Sequence, residues 1–462
     1  MPRFYIENFG CRATQADGAA LERQFLERGL DRAGTARDAE IVVLNTCTVT
    51  SGADKDARAS IRRLQRVNPN CKIVVTGCYA QRAPEELAAL PGVTWVVGNS
   101  HKHQVAEIAT SPYSSEGFVS LSQLSGESHP DNILVGDIFA HTELLAAPVF
   151  EAANERTRPN LKVQDGCDSR CSFCVIPYVR GQSRSLPAQR VIEEVRNLVD
   201  AGYREVVISG INLGRWGKDL ESSSPFSVLG SEREPEIRTM TDGRRLSDLV
   251  RAILAQTTLE KLRISSVEPM DWTDELIELV SSSERIAKHA HLPLQSGSDA
   301  VLRRMHRKYR PWHYREKILK IRAAMPNAAI GADVMVGFPG ETDAEFEETR
   351  RMIEELPFTY LHVFTYSARP GTPAAEALGQ VAIGVARERN RVLREIASQK
   401  KAAFMRTLVG TVVKVITLQS GGADFTEALT DNYLKMRISD RHEANRWIDV
   451  KVAGVKGETL LA

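Results

Sequence analysis

The first hundred residues alternate short apolar runs with amphipathic stretches. Ile41-Val42-Val43-Leu44-Asn45 and Ile73-Val74-Val75-Thr76 are β-branched runs typical of strands covered on both faces, and Phe4-Tyr5-Ile6-Glu7-Asn8 is a weaker form of the same signal. Apolar residues return at helical spacing around 17–29 and 53–67, and Val93-Thr94-Trp95-Val96-Val97-Gly98 predicts a further strand. Strands alternating with helices predict a parallel α/β sheet over residues 1–130.

The same rhythm resumes near residue 160. Strands are predicted at 161–164, 205–209, 262–266, 291–294, 330–336 and 360–364, each running into a polar or glycine-rich ending, with a helix at 187–201 after the first. This pattern predicts a partial βα barrel of the TIM type over 155–385, with its reactive centre at the carboxyl ends of the strands. The texture changes after residue 403. Thr411-Val412-Val413-Lys414-Val415-Ile416, Leu434-Lys435-Met436-Arg437-Ile438 and Trp447-Ile448-Asp449-Val450-Lys451-Val452 predict a small antiparallel β-barrel over 403–462. The polar stretches 111–131, 154–159 and 217–245 read as linkers or insertions. The fold class is therefore α/β and multidomain.

Composition bounds the function. A length of 462 residues suits about three domains, and 42% hydrophobic with 26% charged residues excludes a wholly disordered chain. The 60 Lys and Arg nearly cancel the 59 Asp and Glu, so any nucleic acid must be held by a local patch. Such a patch is predicted at Arg303, Arg304, Arg307, Lys308, Arg310 and Arg315, interleaved with Tyr309, Trp312 and Tyr314 that would stack on unpaired bases. The stretch 387–406 carries seven more basic residues. No apolar run approaches the roughly 18 residues needed to span a bilayer. The start lacks the apolar core of a secretory signal, so the expected setting is cytoplasmic, with no membrane partner.

Seven cysteines, an odd number, argue against a disulfide framework. Cys167, Cys171 and Cys174 form a C-x3-C-x2-C run that lets one loop bring three thiolates to zinc or to an iron–sulfur cluster. No fourth Cys or His follows nearby. Closed zinc would need a distant donor, whereas a four-iron cubane would keep one iron open. Cys11, Cys47 and Cys78 each follow a predicted strand. In an open α/β sheet ligands gather at the carboxyl ends of strands, so these three are expected to converge on a second three-ligand site. Cys71 begins the strand that Cys78 ends, roughly 23 Å away when extended, and is assigned a structural role.

The chain resembles the radical S-adenosylmethionine (SAM) methylthiotransferases over nearly its whole length. The likeness is carried by Asn8-Phe9-Gly10-Cys11, Asn45-Thr46-Cys47-Thr48-Val49-Thr50, Thr76-Gly77-Cys78 and the stretch from Gly166 to Gly181 around the local cysteine run. Val336-Gly337-Phe338-Pro339-Gly340-Glu341-Thr342 and Tyr366-Ser367-Ala368-Arg369-Pro370-Gly371-Thr372-Pro373 extend it. The resemblance implies a C-terminal RNA-binding TRAM module and two [4Fe–4S] clusters, one on Cys11, Cys47 and Cys78, the other on Cys167, Cys171 and Cys174. It further implies that SAM, chelated at the open iron of the second trio, is reduced by a flavodoxin- or ferredoxin-type donor to give a deoxyadenosyl radical. Sulfur and methyl are then placed on an unactivated carbon.

Within the family, Glu427-Ala428-Leu429-Thr430-Asp431-Asn432-Tyr433 and the residues around Cys47 look most like the branch acting on threonylcarbamoyladenosine beside a tRNA anticodon. Sister branches act on isopentenyladenosine in tRNA or on a ribosomal-protein aspartate. Gly210, Asn212, Gln295 and Ser296 are the expected SAM contacts. Arg180 and Arg184 are placed to meet the SAM carboxylate or a phosphate, and Glu268 to orient a ligand. A non-catalytic tRNA-binding protein with one structural metal is the reading of another class, separated by iron and sulfide content.

Overall fold

The computed structural model describes residues 1–111, 132–140, 157–221, 245–422 and 424–462. Most of the polar stretches 111–131 and 217–245, and half of 154–159, lie outside the described residues.

The first unit is a parallel sheet in which β1 (Arg3–Asn8), β3 (Ile41–Thr46), β4 (Lys72–Gly77) and β5 (Val93–Val97) lie side by side, with the short β2 (Asp31–Arg32) and β6 (Ile133–Leu134) at its edges. Alternation along β3 explains why both faces are covered. Val42 and Leu44 pack with Ala57, Ile61 and Leu64 of the helix Ser51–Val67. Ile41 and Val43 pack with Leu21 and Phe25 of the helix Arg12–Glu27 on the other side. That helix starts five residues before the amphipathic pattern at 17–29 begins, because its first turns bury Ala13, Thr14, Ala16 and Asp17.

The second unit contains β7 (Asn160–Asp165), β9 (Glu205–Gly210) and β10 (Lys261–Ile264), with the short antiparallel β8 (Arg184–Ser185) beside β7. A second sheet holds β11 (His289–His291), β12 (Ala329–Val336) and β13 (Tyr360–Thr365). Isolated bridges from Leu262 to Ile286 and from Ser266 to His291 join the two. The six parallel strands form a partial barrel, whose sheet order runs from β7 at one edge to β13 at the other. One continuous apolar core lies between these strands and their helices, from Leu161 to Leu393.

The long helix Ile383–Thr407 lies along β13 and leads into a six-stranded sheet. Its strands are β14 (Val412–Gly421), β15 (Thr426–Thr430), β16 (Lys435–Ile438), β17 (Trp447–Lys451), β18 (Gly454–Lys456) and β19 (Thr459–Leu461). All pairs are antiparallel except β16 with β19, which run parallel, so the C-terminal sheet departs from the purely antiparallel arrangement expected. The turn between β15 and β16 meets the barrel at the amino ends of its strands. Arg263 Nη1 donates to the Asp431 carbonyl (3.0 Å) and Asn432 Nδ2 to the Asn327 carbonyl (2.9 Å). Tyr433, at φ 70°, accepts from Arg12 Nη2 on its hydroxyl (3.0 Å), so all three units meet at this side chain.

Candidate metal centres

Sheet order places β1, β3 and β4 next to one another, in register through Asn8 with Asn45 and Thr46 with Gly77. Cys47 and Cys78 follow directly on β3 and β4, and Cys11 lies just beyond β1. The three thiols therefore leave neighbouring strand ends. Burial, then the neighbouring Cys78 and Cys11, push the Cys47 thiol up to about 12. Glycine makes the approach possible. Gly10 sits at φ 102°, and a Cβ there would lie 2.8 Å from Cys47 Sγ. Gly77, at φ 100°, would drive a Cβ into the Thr46 carbonyl. Asn45 Nδ2 donates to Asn8 Oδ1 (2.9 Å) and to the Thr14 carbonyl (2.7 Å), tying two of the cysteine segments together. Asn99 Nδ2 contacts Cys78 Sγ (3.6 Å) while donating to the Val179 carbonyl (2.7 Å).

The second trio occupies the loop after β7. Ser169 N–H donates to Cys167 Sγ (3.4 Å), Asn212 Nδ2 approaches the same sulfur (3.6 Å), and Arg307 Nη1 donates to Cys171 Sγ (3.3 Å). Burial pushes Cys174 up to about 12, and raises Cys171 despite Arg307. Such thiols ionise only when a metal takes the place of the proton. One zinc at about 2.3 Å from each sulfur would draw them to roughly 3.8 Å of one another. Among the described residues, only His291, Asp333 and His362 bring three such ligand atoms within 4.8 Å, and neither cysteine trio does. Each trio supplies three thiolates, the soft donor set that suits an iron–sulfur cubane with one iron left open.

A buried charge cluster lies between the trios. Asp17, from the first helix, accepts from Lys102 Nζ (2.9 Å), Lys162 Nζ and Arg180 Nη2 (2.9 Å). Asp165 accepts from Lys162 Nζ (2.8 Å) and from Arg180 Nη1 on both oxygens (3.0 Å each). Burial works against ionisation of Asp17, but the three cations outweigh it and hold the carboxyl well below its usual range. Three cations face two carboxylates, and Arg180 also feels Cys78 and Cys11. The surplus positive charge stands beside the first trio, where it complements an anionic cluster of thiolates. A second bridge pins the loop after Cys47. Arg369 Nη1 donates to the Thr48 carbonyl (3.1 Å) and to Asp54 Oδ2 (2.7 Å), and Arg82 Nη2 donates to the same oxygen (3.0 Å).

Several expected residues lie elsewhere than their sequence context suggests. Arg180 is buried on Asp17 and Asp165, so it is occupied within the protein instead of awaiting a ligand carboxylate. Gly210 ends β9 close against Gln164. Asn212 is buried, with its N–H donating to Gln164 Oε1 (2.7 Å) and its own Oδ1 without a partner. It lines a small cavity beside Cys171 with Arg215, Glu268, Asp271 and Arg307. Gln295, at φ 65°, donates its N–H to the Asp333 carbonyl (2.8 Å). Ser296 is fully buried, its hydroxyl engaged with Thr349 (3.1 Å) and the Ser298 N–H (3.2 Å), which turns it into the helix packing and away from the barrel mouth.

The basic stretch expected at 303–315 divides between surface and core: Arg303, Arg304, Lys308 and Arg315 stay on the surface, whereas Arg307, Tyr309 and Tyr314 are buried. Arg307 is buried on Glu268 and Cys171; Arg303 (2.8 Å) and Arg310 (3.4 Å) pair with Asp299; Arg304 pairs with Glu345 (2.8 Å) and Arg315 with Glu355. Tyr309 and Tyr314 are buried with their hydroxyls on carbonyls of the β11 strand end, so neither ring can stack on a base. Arg303, Arg304, Lys308, Trp312 and Arg315 remain exposed. Cys71 lies in the apolar core with Ala57, Ile61 and Leu64, as a structural residue should.

Sequence comparison agrees with this geometry. Residues 3–98 match the uncharacterized protein family UPF0004 and residues 161–353 the Radical SAM superfamily. The threonylcarbamoyladenosine tRNA methylthiotransferase MtaB of Bacillus subtilis is 37% identical over 93% of this chain and 89% of its own length. That of Aquifex aeolicus is 33% identical over 97% and 99%. A tRNA-2-methylthio-N(6)-dimethylallyladenosine synthase of Novosphingobium aromaticivorans is 32% identical over 90% and 87%. Among solved structures, the radical SAM methyltransferase TsrM of Kitasatospora setae superposes with a TM-score of 0.53 at 14% identity, over 81% of this chain and 77% of its own, a likeness of fold. With that identity sustained across nearly its whole length, the chain belongs to the radical-SAM methylthiotransferase family.

Proposed function

We propose that this protein converts N6-threonylcarbamoyladenosine beside the anticodon of tRNA to its 2-methylthio derivative. The observation that carries this reading is the pair of cysteine trios on the carboxyl ends of two parallel sheets, joined through the buried Asp17–Arg180 contact. Cys167, Cys171 and Cys174 hold one [4Fe–4S] cluster and Cys11, Cys47 and Cys78 the other. When bound, the clusters and SAM supply the radical that breaks an unactivated C–H bond and the sulfur and methyl that replace the hydrogen. The protein's own part is positioning and charge. Asn212 offers its unpartnered Oδ1 to the SAM ammonium, Arg307 and Asn212 donate to the sulfurs of the second trio, and Lys102, Lys162 and Arg180 offset negative charge at the first.

The C-terminal sheet is assigned as the TRAM-type module that holds the anticodon stem-loop. The electron comes from a reduced flavodoxin- or ferredoxin-type protein. Among the described residues no helix is long and apolar enough to cross a membrane, which fits work on cytoplasmic tRNA. The curated names of the MtaB relatives favour threonylcarbamoyladenosine over isopentenyladenosine or a ribosomal-protein aspartate. The test is anaerobic reconstitution with iron, sulfide, SAM, reductant and tRNA carrying one or the other modified adenosine, followed by nucleoside mass spectrometry. The 2-methylthio form of threonylcarbamoyladenosine is expected. Product from isopentenyladenosine tRNA alone would overturn the assignment.

A further inference from the structure

Along β12 the side chains alternate. Ile330, Ala332 and Val334 lie in the core between sheet and helices, so Gly331, Asp333 and Met335 face the barrel interior. Across the register Gly331 and Asp333 stand beside Tyr360 and His362 of β13, and His291 of β11 pairs with Gly331. His291 Nδ1 lies 3.0 Å from Ser266 Oγ, which fixes the ring. Its Nε2 is buried without a hydrogen-bond partner, 3.5 Å from Asp333 Oδ1, and His362 Nδ1 lies 3.3 Å from the same oxygen. Neither cysteine trio uses these groups. The His362 side chain is 55% exposed and, with Tyr360, forms the inner wall of a cavity of about 510 Å³. The opposite walls come from the C-terminal sheet and the helix Ile383–Thr407, and carry Arg394, Lys401, Lys435 and Arg437 together with Glu427 and Glu458, while Arg158 enters from the segment before β7.

Of these barrel groups the cavity reaches His362 and Tyr360 only, whereas His291 and Asp333 stand in the barrel interior beside them, below the strand ends that carry the cysteine loop. Tyr360 packs beside both His291 and His362, with ring centroids 5.9 and 5.4 Å away, and the two imidazoles are themselves 5.4 Å apart. We propose that His291, Asp333 and His362 are the specificity residues that read the N6 substituent of the target adenosine. The inference rests on the tRNA reading above and deepens it. Asp333 accepts from the ureido N–H groups, and the two imidazoles donate to the carbonyl and carboxylate of an anionic amino-acid substituent. Burial opposes ionisation of Asp333, but His291 and His362 hold its carboxyl well below the usual range, which keeps it an acceptor. An apolar alkenyl substituent satisfies none of these groups. A site built to hydrogen-bond its substrate rejects an analogue lacking those atoms by roughly 10⁴-fold or more.

The test compares the reconstituted wild-type enzyme with His362→Phe and Asp333→Asn on tRNA carrying threonylcarbamoyladenosine and on tRNA carrying isopentenyladenosine. Iron content and melting temperature serve as controls for folding. For either variant, kcat/KM on the threonylcarbamoyl substrate is expected to fall at least 30-fold, mostly through KM, and the ratio between the two substrates to shrink by the same order. A merely structural role would lower both substrates equally and leave the ratio unmoved, which overturns the proposal. Stoichiometric zinc or manganese lost in His362→Phe would also overturn it, in favour of a metal site on the same three residues. If wild type itself ignores threonylcarbamoyladenosine, the tRNA reading has failed; if wild type acts on it and both variants match wild type, only this inference has.

Discussion

Arg180 and Asp17, 163 residues apart in sequence, form a buried ion pair that joins the loop domain of one cysteine trio to the sheet domain of the other. Each side chain is no more than 2% exposed, so the contact is made and kept in a low dielectric. Removing one partner of such a pair leaves uncompensated charge and costs about 3–5 kcal/mol. Asp17→Asn leaves Lys102, Lys162 and Arg180 facing Asp165 alone. A loss of stability in that range is expected by urea titration, together with reduced iron content after reconstitution. An unchanged urea midpoint would show that the junction does not depend on this pair.

The two trios predict a division of iron. Alanine at Cys11, Cys47 or Cys78 should lower bound iron from about eight to about four per chain and abolish methylthio product. SAM cleavage at the other trio should survive. Cys71→Ala should keep all the iron and cost only about 1 kcal/mol of packing. Iron analysis beside product analysis checks both statements. Full product from Cys47→Ala would remove the first trio from the chemistry.

Gly77→Ala tests the backbone at the first trio. At φ 100° and ψ −163° the backbone is one that essentially only glycine adopts, costing another residue about 1–3 kcal/mol, and the alanine methyl would also collide with the Thr46 carbonyl. Cys78 is the next residue, so the expected result is lost iron at this site with the iron of Cys167, Cys171 and Cys174 retained. Mössbauer or EPR spectra of the reconstituted variant distinguish the two.

His289 gives the fold a pH dependence. It is buried with Nε2 2.6 Å from the Tyr360 hydroxyl. Burial, followed by Arg263, His291 and Arg12, holds its pKa well below the ordinary histidine value. The unfolded chain gains a proton near pH 6.5 that the folded chain refuses. Stability is therefore complete above that pH and is lost as pH falls, by about 1.4 kcal/mol per unit. His289→Gln keeps a donor for Tyr360 but cannot titrate. Urea midpoints of both proteins at pH 7, 6 and 5 should diverge by about 2 kcal/mol at pH 5, wild type falling faster. Parallel pH curves would exclude His289 as the cause.

Much of this architecture is legible before any coordinates. The apolar runs before Cys47 and Cys78 mark strands, and the rule that ligands gather at strand ends then brings three distant cysteines together. Five of the six barrel strands follow closely from the same pattern, while the strand expected at 291–294 is His289–His291 and shares only His291 with it. What stays hidden is the partner supplied by another element. Arg304, Arg307 and Arg310 read alike as a solvent-facing basic patch, because Glu345, Glu268 and Asp299 meet them only in three dimensions, and of the three only Arg307 is buried. Tyr309 and Tyr314 alternate with those arginines, yet they point into the core. Asp17 gives no signal in sequence, since the face of its helix that looks polar is buried against a second domain. Ser296 sits among polar strand-end residues, and only Thr349 behind it reveals which way it turns.

Tyr433 bears on how this chain can be dissected. Its hydroxyl meets Arg12, one residue beyond Cys11, and its ring lies under Arg263 and beside His289. A truncation ending before residue 403 removes this plug along with the sheet that carries it. The shortened protein would have an open barrel floor, Arg12 without its hydroxyl partner and a disturbed segment next to Cys11. Failure of such a fragment would measure that damage as much as the absence of RNA contacts. A minimal catalytic core has to keep the β15–β16 turn.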